Sequence, residues 1–357
     1  MKNLIILIVI SVLLYSCDDD KKDDISANFN QAEMLTNLSQ EVFIPNYIAL
    51  NESVIQLDTK WQSFKGALDS TTMEELRAAF EVAYTKYQLV NYLEFGPAAN
   101  ISLRNNTNTF PTDTSKIKTN IRDGIYNVNT LSSYTVKGFP AMDYLLFEQE
   151  VNATVALFKN GNRVQYMDAL MADLKVNTET VLNEWKTSYT NTFNTKTGSD
   201  VGSSIGILVN AWNQHYERNF RDGKIGIPVG IRSLGVILPE KCEAVYSGIS
   251  TSLAIENLEA MEKMYLGVGQ DGINRKSFDD YLIAINAAEL DNDIKNQFSI
   301  AHSKLQELGS PLSEEIKNDQ TKVQSAYQEL QKLILLIKIE LPSRLGILIT
   351  YQDNDGD

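Results

Sequence analysis

Apolar side chains recur at steps of three and four along most of this chain, a spacing that gathers them on one side of a helix rather than on alternate faces of a strand. From Glu74 to Asn91 the stripe runs through Leu76, Ala79, Phe80, Ala83, Tyr84, Tyr87 and Val90. Thr71 or Thr72, with Glu74 and Glu75, offers a capped, acidic start, and Gly96-Pro97 a stop. A second strong stripe holds Val164, Met167, Leu170, Met171, Leu174, Val181, Leu182, Trp185 and Tyr189. A third holds Val323, Ala326, Tyr327, Leu330, Leu333, Ile334 and Ile337, and is expected to halt at Leu341-Pro342. Weaker patterns predict helices near 28–57, 116–128, 139–148, 200–220, 242–266, 278–288 and 293–308. Pro45 falls inside the first and predicts a kink, because proline removes a ladder bond and crowds the preceding turn. No stretch alternates for long with β-branched enrichment. Ile225 to Leu238, the nearest to it, carries Gly226, Gly230 and Gly235 and reads as an ordered loop. The expected fold class is all-α.

Two long irregular connections, Phe95 to Ser115 and Asp222 to Glu240, are of a length that in helical proteins is usually functional or pinned at an interface. The polar stretch from Glu148 to Arg163 divides the chain into two expected helical bundles, 28–150 and 151–357. Residues 1–16 read as a signal peptide: Lys2 gives the positive start, and Leu4 to Tyr15 are too few to span a bilayer, which needs about twenty residues. Leu14-Tyr15-Ser16-Cys17 resembles the lipobox of bacterial lipoproteins, in which the cysteine is acylated and becomes the mature N-terminus. Residues 17–27 then form a tether. Asp18 to Asp24 contains five acids, two lysines and no apolar residue, so it has no face to bury. Acids directly after the cysteine resemble the surface-export signal of Bacteroidetes lipoproteins. The expectation is a chain held by lipid on Cys17 at a bacterial outer membrane or cell surface.

With 43% apolar and 22% charged residues, the chain after the tether can build a substantial core. A net charge of −14 argues against nucleic acid or an anionic lipid surface as partner. Acylation of Cys17 would leave Cys242 alone, so no disulfide framework is possible. Cys242, in Lys-Cys-Glu-Ala-Val, reads as a partly buried residue at a helix start. There are two histidines. His215 reads as half-exposed on an aromatic, charged helix, and His302 as a plain helical residue. His-Glu-x-x-His, Gly-x-Ser-x-Gly, a phosphate loop and a dinucleotide glycine pattern are all missing from the sequence. Gly202-Ser203-Ser204-Ile205-Gly206 reads as a helix start. The terminal Asp353-Asn354-Asp355-Gly356-Asp357 leaves no room for the closing glutamate of a calcium loop.

Gly138-Phe139-Pro140-Ala141-Met142-Asp143-Tyr144-Leu145-Leu146-Phe147 resembles the signature of the imelysin family, Gly-x-His-x-x-Glu followed by an aromatic residue and a Leu-Leu pair. In the same order, Val42 to Tyr47 is similar to that family's kinked first helix and Glu94-Phe95-Gly96-Pro97 to the end of its second. Lys224 to Pro228 with Gly230 is similar to its mid-chain loop; Tyr246-Ser247-Gly248 and Asp355-Gly356-Asp357 complete the series. The resemblance implies two four-helix-bundle-like halves packed together with the signature near their interface. It also implies an iron-linked envelope role, and the family carries a peptidase name.

A histidine and a glutamate three apart share a helix face and can share a metal. Here the pair is Pro140 and Asp143. Proline offers a metal no lone pair, and its place suits a helix first turn instead. Asp143 is either a carboxylate bonded to free backbone N–H groups or a functional acid. Glu94 ends a helix, where a carboxylate opposes the dipole, and so calls for a partner, Arg104 or a cation. A metal, if held, would sit on Asp143 with Glu94, an oxygen pair suited to iron or calcium. The expectation is therefore a non-enzymatic component of iron or haem acquisition, working with transport proteins at the membrane. The alternatives are an envelope metallopeptidase and a transporter adaptor holding no metal.

Overall fold

The computed structural model describes residues 29–352. Cys17, the acidic tether and the terminal Asp353 to Asp357 lie outside that range. The described chain is all-α: seventeen α-helices are joined by π-helical, 3-10 and turn segments, and the only extended pairing among these residues is a single bridge, Val268 to Asn274. In order, the helices are α1 (Gln31–Asn37), α2 (Ile44–Ala67), α3 (Ser70–Tyr87), α4 (Pro97–Asn100), α5 (Leu103–Thr107), α6 (Thr114–Asp123), α7 (Gly138–Phe147), α8 (Val151–Leu157) and α9 (Gly161–Glu184). They continue as α10 (Thr190–Thr195), α11 (Ser204–Gln214), α12 (Ser250–Tyr265), α13 (Phe278–Ala284), α14 (Ala288–Gln306), α15 (Leu312–Asn318), α16 (Gln320–Ile334) and α17 (Leu341–Leu345).

The strong stripes are the buried faces. In α3, Met73, Leu76, Phe80, Ala83, Tyr84 and Tyr87 are buried, and the cap is Asp69, whose side chain accepts the Thr72 N–H, rather than a threonine. Both prolines expected to disturb helices follow a π-helical segment, Leu38–Phe43 before Pro45 and Leu335–Glu340 before Pro342. The wider π turn re-registers the ladder where proline has no N–H to give. The last helical run therefore does not halt at Leu341-Pro342. It passes through α17 and stops at Gly346, which takes a left-handed φ of 68°.

Helix α2 packs along α3 and α9, and α7 packs against α9, α5 and α3. A second group is formed by α14 on α12 and α16, with α16 lying on the π-helical segment His215–Gly226. The groups meet where α12 touches α3 and that same segment. Helix α9 follows the Glu148–Arg163 stretch in sequence yet packs with the helices before it. The polarity of that stretch belongs to folded structure: α8 lies inside it, and Arg163, nearly buried, pairs with Glu148 at 2.5 Å and donates to the Leu145 carbonyl at 2.7 Å. Helix α10 likewise packs on α1 and the π-helical segment Leu38–Phe43.

Candidate functional site

The motif glycine is required by geometry. Gly138 has φ +70°, and a Cβ there would lie 2.3 Å from the carbonyl oxygen of Thr107. Its bareness lets the start of α7 press against the end of α5. Pro140 is buried and occupies the third position of α7, inside the first turn, where the backbone N–H has no intrahelical partner. Asp143 is 1% exposed. Its two oxygens accept the backbone N–H groups of Tyr246 and Ser247, each at 3.0 Å. The carboxylate thus pins α7 to a turn more than a hundred residues away, and the Tyr144 and Tyr246 rings cross edge-to-face at 5.1 Å beside it. Burial pushes its pKa up to about 6, against the opposing pull of those hydrogen bonds.

Glu94 finds its partner in the backbone of Arg104. The carboxylate accepts that N–H, in the first turn of α5, at 3.1 and 3.4 Å, while the guanidinium reaches the Asn91 carbonyl at 3.2 Å. Burial raises its pKa, and the Arg104 charge lowers it. Helix α3 ends at Tyr87 rather than at Gly96-Pro97, so Glu94 lies beyond it and opposes no helix end; it instead serves the start of α5. Asp143 and Glu94 have separate partners, and among the described residues no group of three His, Cys, Asp or Glu side chains is placed to hold a metal ion. With proline in the histidine position and both Asp143 oxygens accepting N–H donors, the residues present do not fit the metal that the motif implies.

The polar centre of the molecule lies close by, and it was not foreseen from the sequence. Glu243, 1% exposed, takes the Asn108 amide at 2.7 Å, the Gln88 amide at 3.4 Å and the Lys224 ammonium. Lys224 also donates to Gln88 at 2.9 Å, and Asn91 donates to the same Gln88 oxygen at 2.7 Å. Asn257 of α12 donates to the Gln88 carbonyl at 3.0 Å and to the Asn91 side chain at 2.6 Å. Tyr84 donates to Asn108 at 2.6 Å. This network joins α3, α5, the π-helical segment His215–Gly226 and α12, where the two packing groups meet. Burial lowers the pKa of Lys224, and the Glu243 charge raises it.

His215 belongs to this network rather than to a half-exposed face. It is 1% exposed, and its Nε2 lies 2.8 Å from the Asn257 side-chain oxygen. Burial, Arg104 and Lys224 together hold its pKa well below the usual histidine range. His302 lies away from the network, beside Glu262 at 3.4 Å. Cys242 is fully buried just after the turn Pro239–Lys241 instead of opening a helix, and burial pushes its thiol up to about 12. It is an inert packing residue. The expected loop from Asp222 begins inside the π-helical segment, with Asp222 held by Arg221, Arg232 and Tyr327.

Beside the network a cleft of about 390 Å³ opens between the stretch Arg104–Pro111 and the segment from Arg218 to Ile227. Arg104, Asn105, Phe110, Arg218, Asn219 and Lys241 are on its walls. A smaller cavity of about 30 Å³ shares Arg104, Asn108, Phe110 and Asn219 with the cleft and adds His215, Lys224 and Asn91. The cleft therefore reaches inward to the network.

Fold and site together define an all-helical protein with a buried polar junction and an open cleft, in which the motif carboxylate fastens two segments. The imelysin family model matches residues 43–337, and the chain belongs to the imelysin family. Two solved structures share the fold. An iron-regulated protein A precursor from Parabacteroides distasonis aligns with TM-score 0.76 and 16% identity, covering 88% of this chain and 95% of that one. An imelysin-like protein from Psychrobacter arcticum aligns with TM-score 0.72 and 16% identity, covering 90% and 97%. No curated protein sequence matches the chain.

Proposed function

We propose that this chain is a non-enzymatic envelope protein, held by lipid on Cys17 at a bacterial outer membrane or cell surface, that binds a ligand in the cleft as part of iron or haem acquisition. The observation that carries the non-enzymatic reading is Asp143, whose oxygens both accept backbone N–H groups three residues after a proline. A zinc hydrolase needs about three protein ligands and a base, and this residue is occupied in holding the fold. The binding reading is supported by the open cleft that reaches the polar junction. The iron link is supported by family membership and by the iron-regulated relative from Parabacteroides distasonis, whose description as a precursor also accords with export. Among the described residues no helix is long and apolar enough to cross a membrane, so attachment in this reading rests on Cys17.

Isothermal titration of the whole chain, in nonionic detergent, with ferric iron, ferrous iron, zinc and haem tests the ligand role. Binding of at least one is expected, and silence from all four ends the direct-ligand reading. Chelator-sensitive cleavage of casein that disappears in Asp143→Ala would replace it with the peptidase.

A further inference from the structure

The cleft has a sign. The protein carries a net charge of −14, yet the walls of the cleft and its inner cavity contain Arg104, Arg218, Lys241 and Lys224 and no aspartate or glutamate. Lys224 is neutralised by Glu243. The other three make no ion pair with a carboxylate among the described residues. Arg104 gives its guanidinium to the Asn91 carbonyl, and Glu94, whose charge acts on it, is bonded to its backbone N–H. Arg218 lies over the Tyr351 ring at 5.5 Å and donates to the Gln352 carbonyl. On both arginines the Nε–H is buried with no acceptor. Two guanidinium groups on one cleft, each with an unsatisfied donor and no carboxylate, are suited to an acceptor that is itself charged.

The inner cavity adds an acceptor. The Asn257 amide nitrogen is spent on Gln88 and Asn91, which makes its oxygen the acceptor facing His215. The imidazole must then carry its hydrogen on Nε2, leaving Nδ1 as a bare lone pair. Nδ1 is buried with no partner, and His215 lines the cavity beside Arg104 and Lys224. Those two charges disfavour a cation there, so the group suited to Nδ1 is a neutral O–H. A volume of about 30 Å³ is room for a hydroxyl or a water, since about 10–15 Å³ on this measure suffices.

We propose that the cleft binds a small oxyanion ligand, a carboxylate or phosphate compound, with its negative groups on Arg104, Arg218 and Lys241 and a hydroxyl or bridging water on Nδ1 of His215. The cleft of about 390 Å³ suits a small metabolite or a compact anionic complex of one. This inference rests on the ligand-binding reading above and names the class of its ligand.

The test is calorimetric titration of the whole chain with citrate, which offers carboxylates and a hydroxyl, and separately with inorganic phosphate, at low and moderate salt. Saturable binding that weakens with salt is expected for at least one of them. Arg218 and Lys241 are part-exposed wall residues. Arg218→Gln and Lys241→Gln are therefore expected to keep the wild-type circular dichroism while each weakens binding about tenfold, the loss of one charge-assisted contact. Silence from both anions while iron or haem still binds would overturn the oxyanion inference and leave the ligand role standing. Anion binding unchanged in both variants would overturn it too, as adventitious binding elsewhere. Anion binding without any response to iron, zinc or haem would keep this inference and remove the direct iron role.

Discussion

Asp143 shows how one side chain can be read in two ways until its neighbours are known. On a helix, three residues after a family-motif position, it has the placement of a metal ligand. In the folded protein it accepts two N–H groups of the turn at Tyr246 and Ser247. Burial lifts its pKa to about 6, so the folded state holds its proton more tightly than the unfolded chain does. The folded pKa is the raised one, so Asp143's contribution to stability is greatest at acid pH and falls as pH rises from about 4 to about 6. Relative to Asp143→Asn, wild type should lose about 2–3 kcal/mol of stability over that window, from a shift of roughly two units. Urea unfolding of the two proteins at pH 4 and pH 7 measures this, and a pH-independent difference would mean the carboxylate is ionised throughout. The motif proline was legible, since a first-turn proline is a local backbone requirement, whereas the bareness of Gly138 answers the distant Thr107 carbonyl. The partners of Asp143 were not legible, since they lie a hundred residues away.

At the scale of elements, the turn that follows α3 and the helix α12 carry polar residues where an apolar stripe would otherwise continue. Gln88 and Asn91 interrupt a run containing Leu89, Val90, Tyr92 and Leu93, and Asn257 sits between Leu253, Ala254, Leu258 and Met261 on the buried face of α12. A polar side chain at a core position must find its hydrogen bonds inside. That was the available signal for the junction, and helical periodicity alone passes over it. The network's most exposed liability is the Lys224–Glu243 pair. Glu243→Gln leaves a buried ammonium without its counter-charge and should cost about 3–5 kcal/mol. Adding Lys224→Met removes the stranded charge, so the double variant should be more stable than Glu243→Gln alone. Denaturant midpoints for both variants and wild type decide it. Equal loss in single and double variants would show that Asn108 and Gln88, not the charge pair, hold the junction.

Across the whole molecule, one continuous hydrophobic core includes residues of both packing groups, and the buried network crosses between them. Such coupling predicts a single cooperative unfolding transition. Trp61 and Trp185 report on the first group and Trp212 on the second. Fluorescence of Trp212→Phe and of the Trp61→Phe/Trp185→Phe double variant should therefore give coincident midpoints that also match far-ultraviolet circular dichroism. Separated midpoints would instead mark two independently folding halves. The sequence by itself determined the helical class, the buried faces of α3, α9 and α16 and the family, because periodicity, caps and turn residues are local properties. Only the tertiary structure decided that α9 packs with the helices before it, that His215 is buried, and that Asp143 fastens a distant turn. It alone brought Arg104, Arg218 and Lys241 around one cleft. Those facts depend on which segments meet across long stretches of chain, and no spacing along the sequence encodes that distance.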